Sequence, residues 1–186
     1  MAPTTYKSTA DVDIDVGILY VAPIGTTEPT SATSALDAAW REVGYTEDGS
    51  KISTAVTTAD LEVAELLDPI AVRTTKRTTK VMFAMAQATR SNLLLALNQG
   101  AAGTDTITAV EPVALASEVR VMLCWQSEQT GADQRRWLFR QCYNTGSLEI
   151  ANAKTPQKRL LAVDFSCEKP ESAAVFTVFP SAAGEI

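Results

Sequence analysis

The sequence contains no histidine, no CxxC pair and no long apolar run, and each absence removes a class of function. Without an imidazole there is no His-based catalytic triad, no His-ligated metal site and no histidine general base. Cys124, Cys142 and Cys167 lack the paired spacing of a structural zinc site, and we expect them to be buried free thiols. No segment reaches the ~20 apolar residues that a transmembrane helix needs.

Positive charge is also scarce. Lysine and arginine number 16 against 22 acids, which leaves a formal net charge of -6. This balance argues against a protein that holds nucleic-acid phosphates or anionic lipid through a basic surface, and it predicts no membrane partner. The first residues lack the charged-then-apolar plan of a signal peptide, so folding in a reducing cytoplasm is expected.

What the chain does contain is enough apolar material for a core. Its 186 residues are 46% hydrophobic and 20% charged, which is the composition of a soluble globular protein with a sizeable core. A length of this order predicts one domain, or one domain with long arms.

Alternation of apolar and polar residues is the main structural signal and predicts β-strands. The alternating or apolar runs are 11–22, 80–86, 119–126, 136–143, 159–168 and 175–179. Runs 119–126 and 136–143 are separated by a polar turn around Gly131, so we expect them to pair as a hairpin. The strands together predict a mainly β, antiparallel domain.

Two segments have helical features. Residues 89–98 begin with a Thr89 cap and continue with a leucine cluster, which predicts a helix of about ten residues buried against the sheet. Residues 34–40 favour a shorter helix, with Ser34 as the cap and Asp37 in the first turn. The predicted class is therefore α+β with one principal flanking helix.

A charged segment between residues 47 and 80 does not fit a compact domain. It holds six acids and one base up to Pro69, and then Arg73, Lys76, Arg77 and Lys80 follow closely. Two interpretations stay open: a solvated loop with a charged hairpin, or an arm whose acidic and basic parts complement a second copy of the chain.

Motifs for catalysis and cofactor binding are missing. Neither GxGxxG nor GxxxxGK[ST] occurs, and the row Asp11, Asp13 and Asp15 lacks the glycine and distant glutamate of an EF-hand loop. No serine, threonine or cysteine stands beside a base in a recognisable motif. The sequence predicts a protein that is not an enzyme and that holds neither a cofactor nor a metal.

A family resemblance appears in residues 17–49. The apolar strand 17–22 leads through a Pro/Thr-rich loop to Trp40-x-x-x-Gly44-Tyr45-x-x-Asp48-Gly49. This order resembles the start of major tail proteins, the tail tube subunits of long-tailed, non-contractile bacteriophages, especially those of actinobacterial hosts. The likeness continues loosely through the Asp68-Pro69 kink to Asn98 and covers most of residues 10–170.

The resemblance implies a phage tail tube-like β-sandwich or barrel with one flanking helix and a long extended arm or loop. It implies hexameric rings that stack head to tail into a hollow tube, with DNA passing through the lumen without specific binding. The implied partners are other copies of the chain, the tape measure protein, and the tail terminator and tail-tip proteins. Assembly in the host cytoplasm and a final place in the virion tail are implied as well.

These expectations assign a layout and candidate residues. Residues 1–186 form one tail tube domain with an N-terminal arm (1–10), a charged loop or arm (47–78) and a C-terminal tail (180–186). The row Asp11, Asp13 and Asp15 is the candidate acidic surface of the lumen or of a ring interface. Leu66 and Leu67 would be the apolar anchor of a second, inter-subunit surface. Its full set of candidates is Asp60, Glu62, Glu65, Leu66, Leu67, Asp68, Arg73, Lys76 and Arg77.

Two other functions stay open from the residues alone. One is a different β-rich virion component, such as a head-tail connector or a decoration protein. The other is a small cytosolic β-sandwich that binds a carbohydrate or a peptide. A tube subunit forms long polymers, a connector forms a closed ring that stops, and a binding module is a monomer with a pocket.

Overall fold

A computed structural model describes residues 16–61, 68–100, 107, 118–127, 134–150 and 158–180. Within these ranges the chain forms eight strands and one α-helix. They are β1 (Gly17–Pro23), β2 (Arg41–Glu42), β3 (Thr46–Leu61), β4 (Ala71–Met85), α1 (Arg90–Ala96), β5 (Val121–Ser127), β6 (Arg136–Asn144), β7 (Leu161–Cys167) and β8 (Phe176–Phe179). No helix in the described ranges is long and apolar enough to cross a membrane. The predicted mainly β class with one flanking helix is confirmed.

All the strands pair antiparallel in the order β2-β1-β5-β6-β7-β4-β3, and β8 also pairs with β6. The predicted β5–β6 hairpin is confirmed. On its other edge, β6 is divided between two partners. Residues 136–139 pair with β8, and residues 142–144 pair with β7. This fork lets the β1–β5–β6 half and the β7–β4–β3 half bend over a common interior.

The main core fills the space between these two halves. Phe83 of β4 and Phe165 of β7 stack with ring centroids 5.8 Å apart, which places two large side chains at its centre. The buried strand residues of this core are Leu19, Val21, Val81, Phe83, Met85, Leu123, Phe139, Cys142, Leu161, Val163 and Phe165. The alternation in the runs 80–86 and 159–168 arises because every second residue of Val81–Met85 and Leu161–Phe165 faces this core.

The outer face of β1, β5 and β6 is buried as well. Ala22, Met122, Cys124, Leu138 and Trp40 form a second cluster, which the segment between β1 and β2 covers. Cys124 and Cys142 are buried free thiols as predicted, whereas Cys167 is only partly buried because it lies near the end of β7.

The short helix predicted over residues 34–40 is wrong. The segment is an irregular turn in which the Asp37 carboxylate accepts the Ala39 backbone N–H at 2.9 Å. The buried Arg136 side chain also binds this segment. Its Nη1 donates to the carbonyl oxygens of Ser31, at 2.9 Å, and Ser34, at 3.0 Å. These side-chain bonds replace the backbone bonds of a helix.

The helix at residues 89–98 is confirmed, with α1 spanning Arg90–Ala96 and Thr89 as its N-cap. Asparagine side chains attach both of its ends to the sheet. Asn92 donates through Nδ2 to Val43 O and to Gln87 O, each at 2.9 Å. Beyond the other end, the Asn98 side-chain amide pairs with the backbone of Asn144 in β6. Its Nδ2 donates to Asn144 O at 2.7 Å, and its Oδ1 accepts the Asn144 N–H at 2.9 Å. Satisfied buried amides of this kind fix the position of α1 against the strands.

Candidate assembly surface

The hairpin β3–β4 extends beyond the body of the sandwich. At its base, β4 also pairs with β7 along residues 79–85 and buries Val81, Phe83 and Met85. Farther out, residues 54–61 and 71–77 are exposed on both strands, and we call these two ranges the arm. The segment predicted as a long charged loop or arm over 47–78 is therefore paired strand along most of its described length.

Large aliphatic side chains lie uncovered on the arm and at its tip. Val56, Leu61, Ile70 and Val72 are each more than half exposed. Alternation along β3 places Val56 on the same face as Ile52, which packs against the main core. The face that the body covers at Ile52 thus continues outward without a cover. Clustered exposed aliphatics on a projecting element are typical of a protein-binding surface.

Basic residues follow one strand of the arm. Arg73, Lys76 and Arg77 are exposed and lie opposite Ala59, Thr57 and Val56 of β3. None of these three cations pairs with an acid among the described residues. The arm therefore presents positive charge beside uncovered apolar groups.

The predicted acidic partners lie only partly in the described ranges. Asp60 is exposed on β3 opposite Val72, and Asp68 is exposed at the start of the returning chain. The structure thus brings Asp60 onto the same hairpin as the three cations. The other candidates, Glu62, Glu65, Leu66 and Leu67 with Asp11, Asp13 and Asp15, lie outside the described residues, so their roles stay predictions.

Several charged side chains on the body of the sandwich, in contrast, form ion pairs. Lys80 Nζ lies 2.6 Å from Asp164 Oδ2, and Arg140 binds Glu28 through two nitrogens at 2.8 and 2.9 Å. Arg120 donates to Glu168 at 2.6 Å, and this hydrogen bond lowers the pKa of the Glu168 carboxyl. Within the described ranges, no ion pair of this kind involves a residue of the arm.

In the motif from Trp40 to Gly49, the structure explains the residue type at three positions. Trp40 is buried and donates its indole N–H to Thr27 O at 3.1 Å. Gly44 has φ +91°, and a Cβ there would lie 2.1 Å from the Gln87 side-chain oxygen. Gly49 has φ +74°, a left-handed conformation that glycine adopts readily.

The fold of the subunit does not explain the tyrosine at position 45, because its side chain is 77% exposed at the base of the hairpin. Among the described residues, its backbone carbonyl accepts the Ala86 N–H at 2.8 Å. Exposed tyrosine is a residue type that commonly anchors protein interfaces. Sequence reasoning missed it as a site residue, since a tyrosine beside a strand is just as compatible with a core position.

The surface of the described residues carries several open depressions. A cavity of about 490 Å³ lies open between the start of β3 and β7, with Asp48, Lys51, Phe83 and Asp164 among its lining residues. Over the described ranges, no group of three or more acidic or cysteine side chains is placed to hold a metal ion. The candidate site is therefore the uncovered arm of an antiparallel β-sandwich.

Comparison with known families identifies the class of protein to which this chain belongs. The family model described as phage tail tube protein matches residues 12–156 of the 186. The chain belongs to this family, and it is a structural component of the virion tail. No curated protein sequence matches it. The resemblance to tail tube subunits is confirmed, and the actinobacterial host stays a prediction.

Proposed function

We propose that this chain forms hexameric rings that stack into a hollow tail tube, assembled around the tape measure protein, and that the tube conducts DNA during ejection. Tail terminator and tail-tip proteins would close the two ends. The observation that carries the proposal is the arm, which exposes both aliphatic and cationic side chains outside the body of its own subunit. Docking of the arm on a neighbouring copy would cover these groups.

The edges of the sheet support self-assembly. β3 is an edge strand along Thr46–Leu61, and β2 at the opposite edge has only two residues. A long unpaired edge is a template for association with another chain, and ring closure is one way to cover it. Stacking of rings through unlike surfaces gives an open filament, since a head-to-tail contact does not close on itself.

Net charge is compatible with the conducting role. The chain carries a formal charge of -6, so a lumen built from its copies would not supply the dense cationic contacts that retain DNA. Passage of DNA without specific binding needs a lumen surface that lacks such cationic contacts. We further propose that residues 1–186 act as a single tube domain, with Asp11, Asp13 and Asp15 at the lumen or at a ring interface.

Electron microscopy of the purified chain at rising concentration tests the proposal. We expect hollow tubes of uniform width, seeded where necessary by an isolated tail-tip complex, with six-fold symmetry in end views. Closed rings that never stack, even with the seed, would favour a head-tail connector. Single particles that ignore the seed would contradict self-assembly, and a ring number other than six would overturn the hexamer alone.

Tyr45 gives a second test of assembly. Replacing Tyr45 with serine should leave the unfolding temperature nearly unchanged, since its side chain is 77% exposed. If Tyr45 anchors a contact, the concentration needed for tube growth should rise about tenfold, which corresponds to ~1.4 kcal/mol. Light scattering measures that threshold. Ile24→Ser, at another exposed apolar position, is the matched control, and an unchanged threshold for Tyr45→Ser would remove Tyr45 from the interface.

A further inference from the structure

Two cysteines face each other across the β6–β7 junction. Cys142 and Cys167 are register partners, and their sulfur atoms lie 3.5 Å apart. The neighbouring pair forms a ladder hydrogen bond, from Glu168 N–H to Gln141 O at 2.8 Å. Cys142 and Cys167 therefore occupy a non-hydrogen-bonded site, where opposite Cα atoms are about 4.5 Å apart. That spacing falls within the range that a disulfide can bridge.

The two thiols differ in access. Cys142 is fully buried in the main core, and its hydrogen bond with Cys167, together with burial, holds the pKa of its thiol well above the usual range. Cys167 is partly exposed and lines an open depression of about 290 Å³ beside Arg77 and Phe176. A small oxidant thus reaches Cys167 first, and Cys142 is positioned as the second thiol.

We propose that Cys142 and Cys167 form a redox-responsive pair that closes to a cross-strand disulfide when hydrogen peroxide acts on the protein. The Cys167 thiolate attacks one peroxide oxygen, which gives a sulfenic acid and, with a proton, one water. The Cys142 sulfur then attacks the sulfenic sulfur, and its proton leaves with the displaced hydroxide as a second water. Two thiols lose two electrons and two protons, and one peroxide becomes two waters.

The position of Cys142 and Cys167 between β6 and β7 means that their oxidation would link the two halves of the sheet. The reduced thiols persist during assembly in a reducing cytoplasm, and the virion later meets more oxidising surroundings. The new bond would join β6 to β7 across the short junction between the two halves of the sheet, and it would close a loop over a separation of 25 residues. The inference depends on the position of the protein in the tail, not on the number of subunits in a ring.

Peptide mapping of the full chain tests the pair directly. The reduced protein is treated with equimolar hydrogen peroxide and quenched with catalase, and free thiols are then alkylated in denaturant before trypsin digestion. We expect a mass about 2 Da lower before alkylation, and a linked pair of peptides from residues 141–154 and 160–186. Cys124 lies on a third peptide, 121–135, and should be alkylated completely. Its burial, which raises the thiol pKa to about 12, makes it an internal control.

Stability supplies a second readout. Oxidation should raise the unfolding temperature by about 5–10 °C, and Cys167→Ala should abolish both the linked peptides and this rise. Cys124→Ala should keep both effects, whatever its baseline stability. Sulfinic acid on Cys167 with Cys142 still alkylated, a link that involves Cys124, a link between two chains, or no reaction would each overturn the proposal.

Discussion

Replacement of Arg73 and Arg77 by glutamate is expected to abolish tube growth while the subunit stays folded. Both side chains are exposed on the arm, and neither pairs with an acid among the described residues, so reversing their charge removes no ion pair there. Within an assembled tube, the new carboxylates would face acids of the neighbouring copy. Like charges brought together at an interface cost several kcal/mol. A loss of ~3 kcal/mol per contact lowers the association constant of that contact about 150-fold. The same loss recurs in every ring, because the contact repeats along the tube.

A matched variant separates the arm from net charge. Arg159→Glu with Lys169→Glu makes the same change in total charge at exposed positions outside the arm. Both double variants should show wild-type thermal unfolding by circular dichroism, and only the arm variant should fail to form tubes in electron micrographs. Tubes of normal length from the arm variant would remove Arg73 and Arg77 from the interface.

Replacement of Arg136 by methionine is expected to lower the unfolding temperature by about 5–15 °C. Arg136 is only 2% exposed, and besides Ser31 and Ser34 it donates to Gln126 Oε1 at 2.6 Å. Burial lowers the pKa of its guanidinium, so the folded state bears a desolvation cost that methionine would relieve. The loss of the donors is the larger effect, because the carbonyl oxygens of Ser31 and Ser34 would remain near the core without them. We expect a net loss of about 2–4 kcal/mol.

Two further variants sharpen this test. Arg136→Lys should recover part of the stability, since one ammonium group cannot reach both Gln126 and the two serine carbonyls. Arg159→Met, at an exposed position, should change the free energy of unfolding by no more than ~0.5 kcal/mol. If Arg136→Met melts at the wild-type temperature in a calorimeter, the segment between β1 and β2 does not depend on Arg136.

Elements with one buried face could be predicted from the sequence. Strands β4 and β7 alternate visibly because Val81, Phe83, Leu161 and Val163 face the core, and α1 was predictable from its Thr89 cap and its leucines. The distal part of β3 was not, because threonine and alanine occupy both of its faces and hide the two-residue period.

The bonds that hold the segments in place were also beyond sequence reasoning. Arg136 donates to carbonyls more than 100 positions away, and Asn144 donates through Nδ2 to the Ala96 carbonyl at the end of α1, at a separation of 48. A backbone carbonyl carries no residue identity, so nothing in the sequence marks such a partner. The same limit applies to the assembly surface: charge order indicated Arg73, Lys76 and Arg77, but the exposure of Val56 and Tyr45 depends on where the body ends.

The fork at β6 gives the subunit uneven stiffness. β5 is paired with β1 along its whole length, whereas among the described residues the two halves of the sheet are joined by a shorter ladder between residues 141–145 and 164–168. Under a load that pulls the halves apart, we expect this short ladder to carry more force per hydrogen bond than the longer β1–β5 ladder. If a tail tube bends, we expect the β6–β7 seam to be the place where each subunit deforms first.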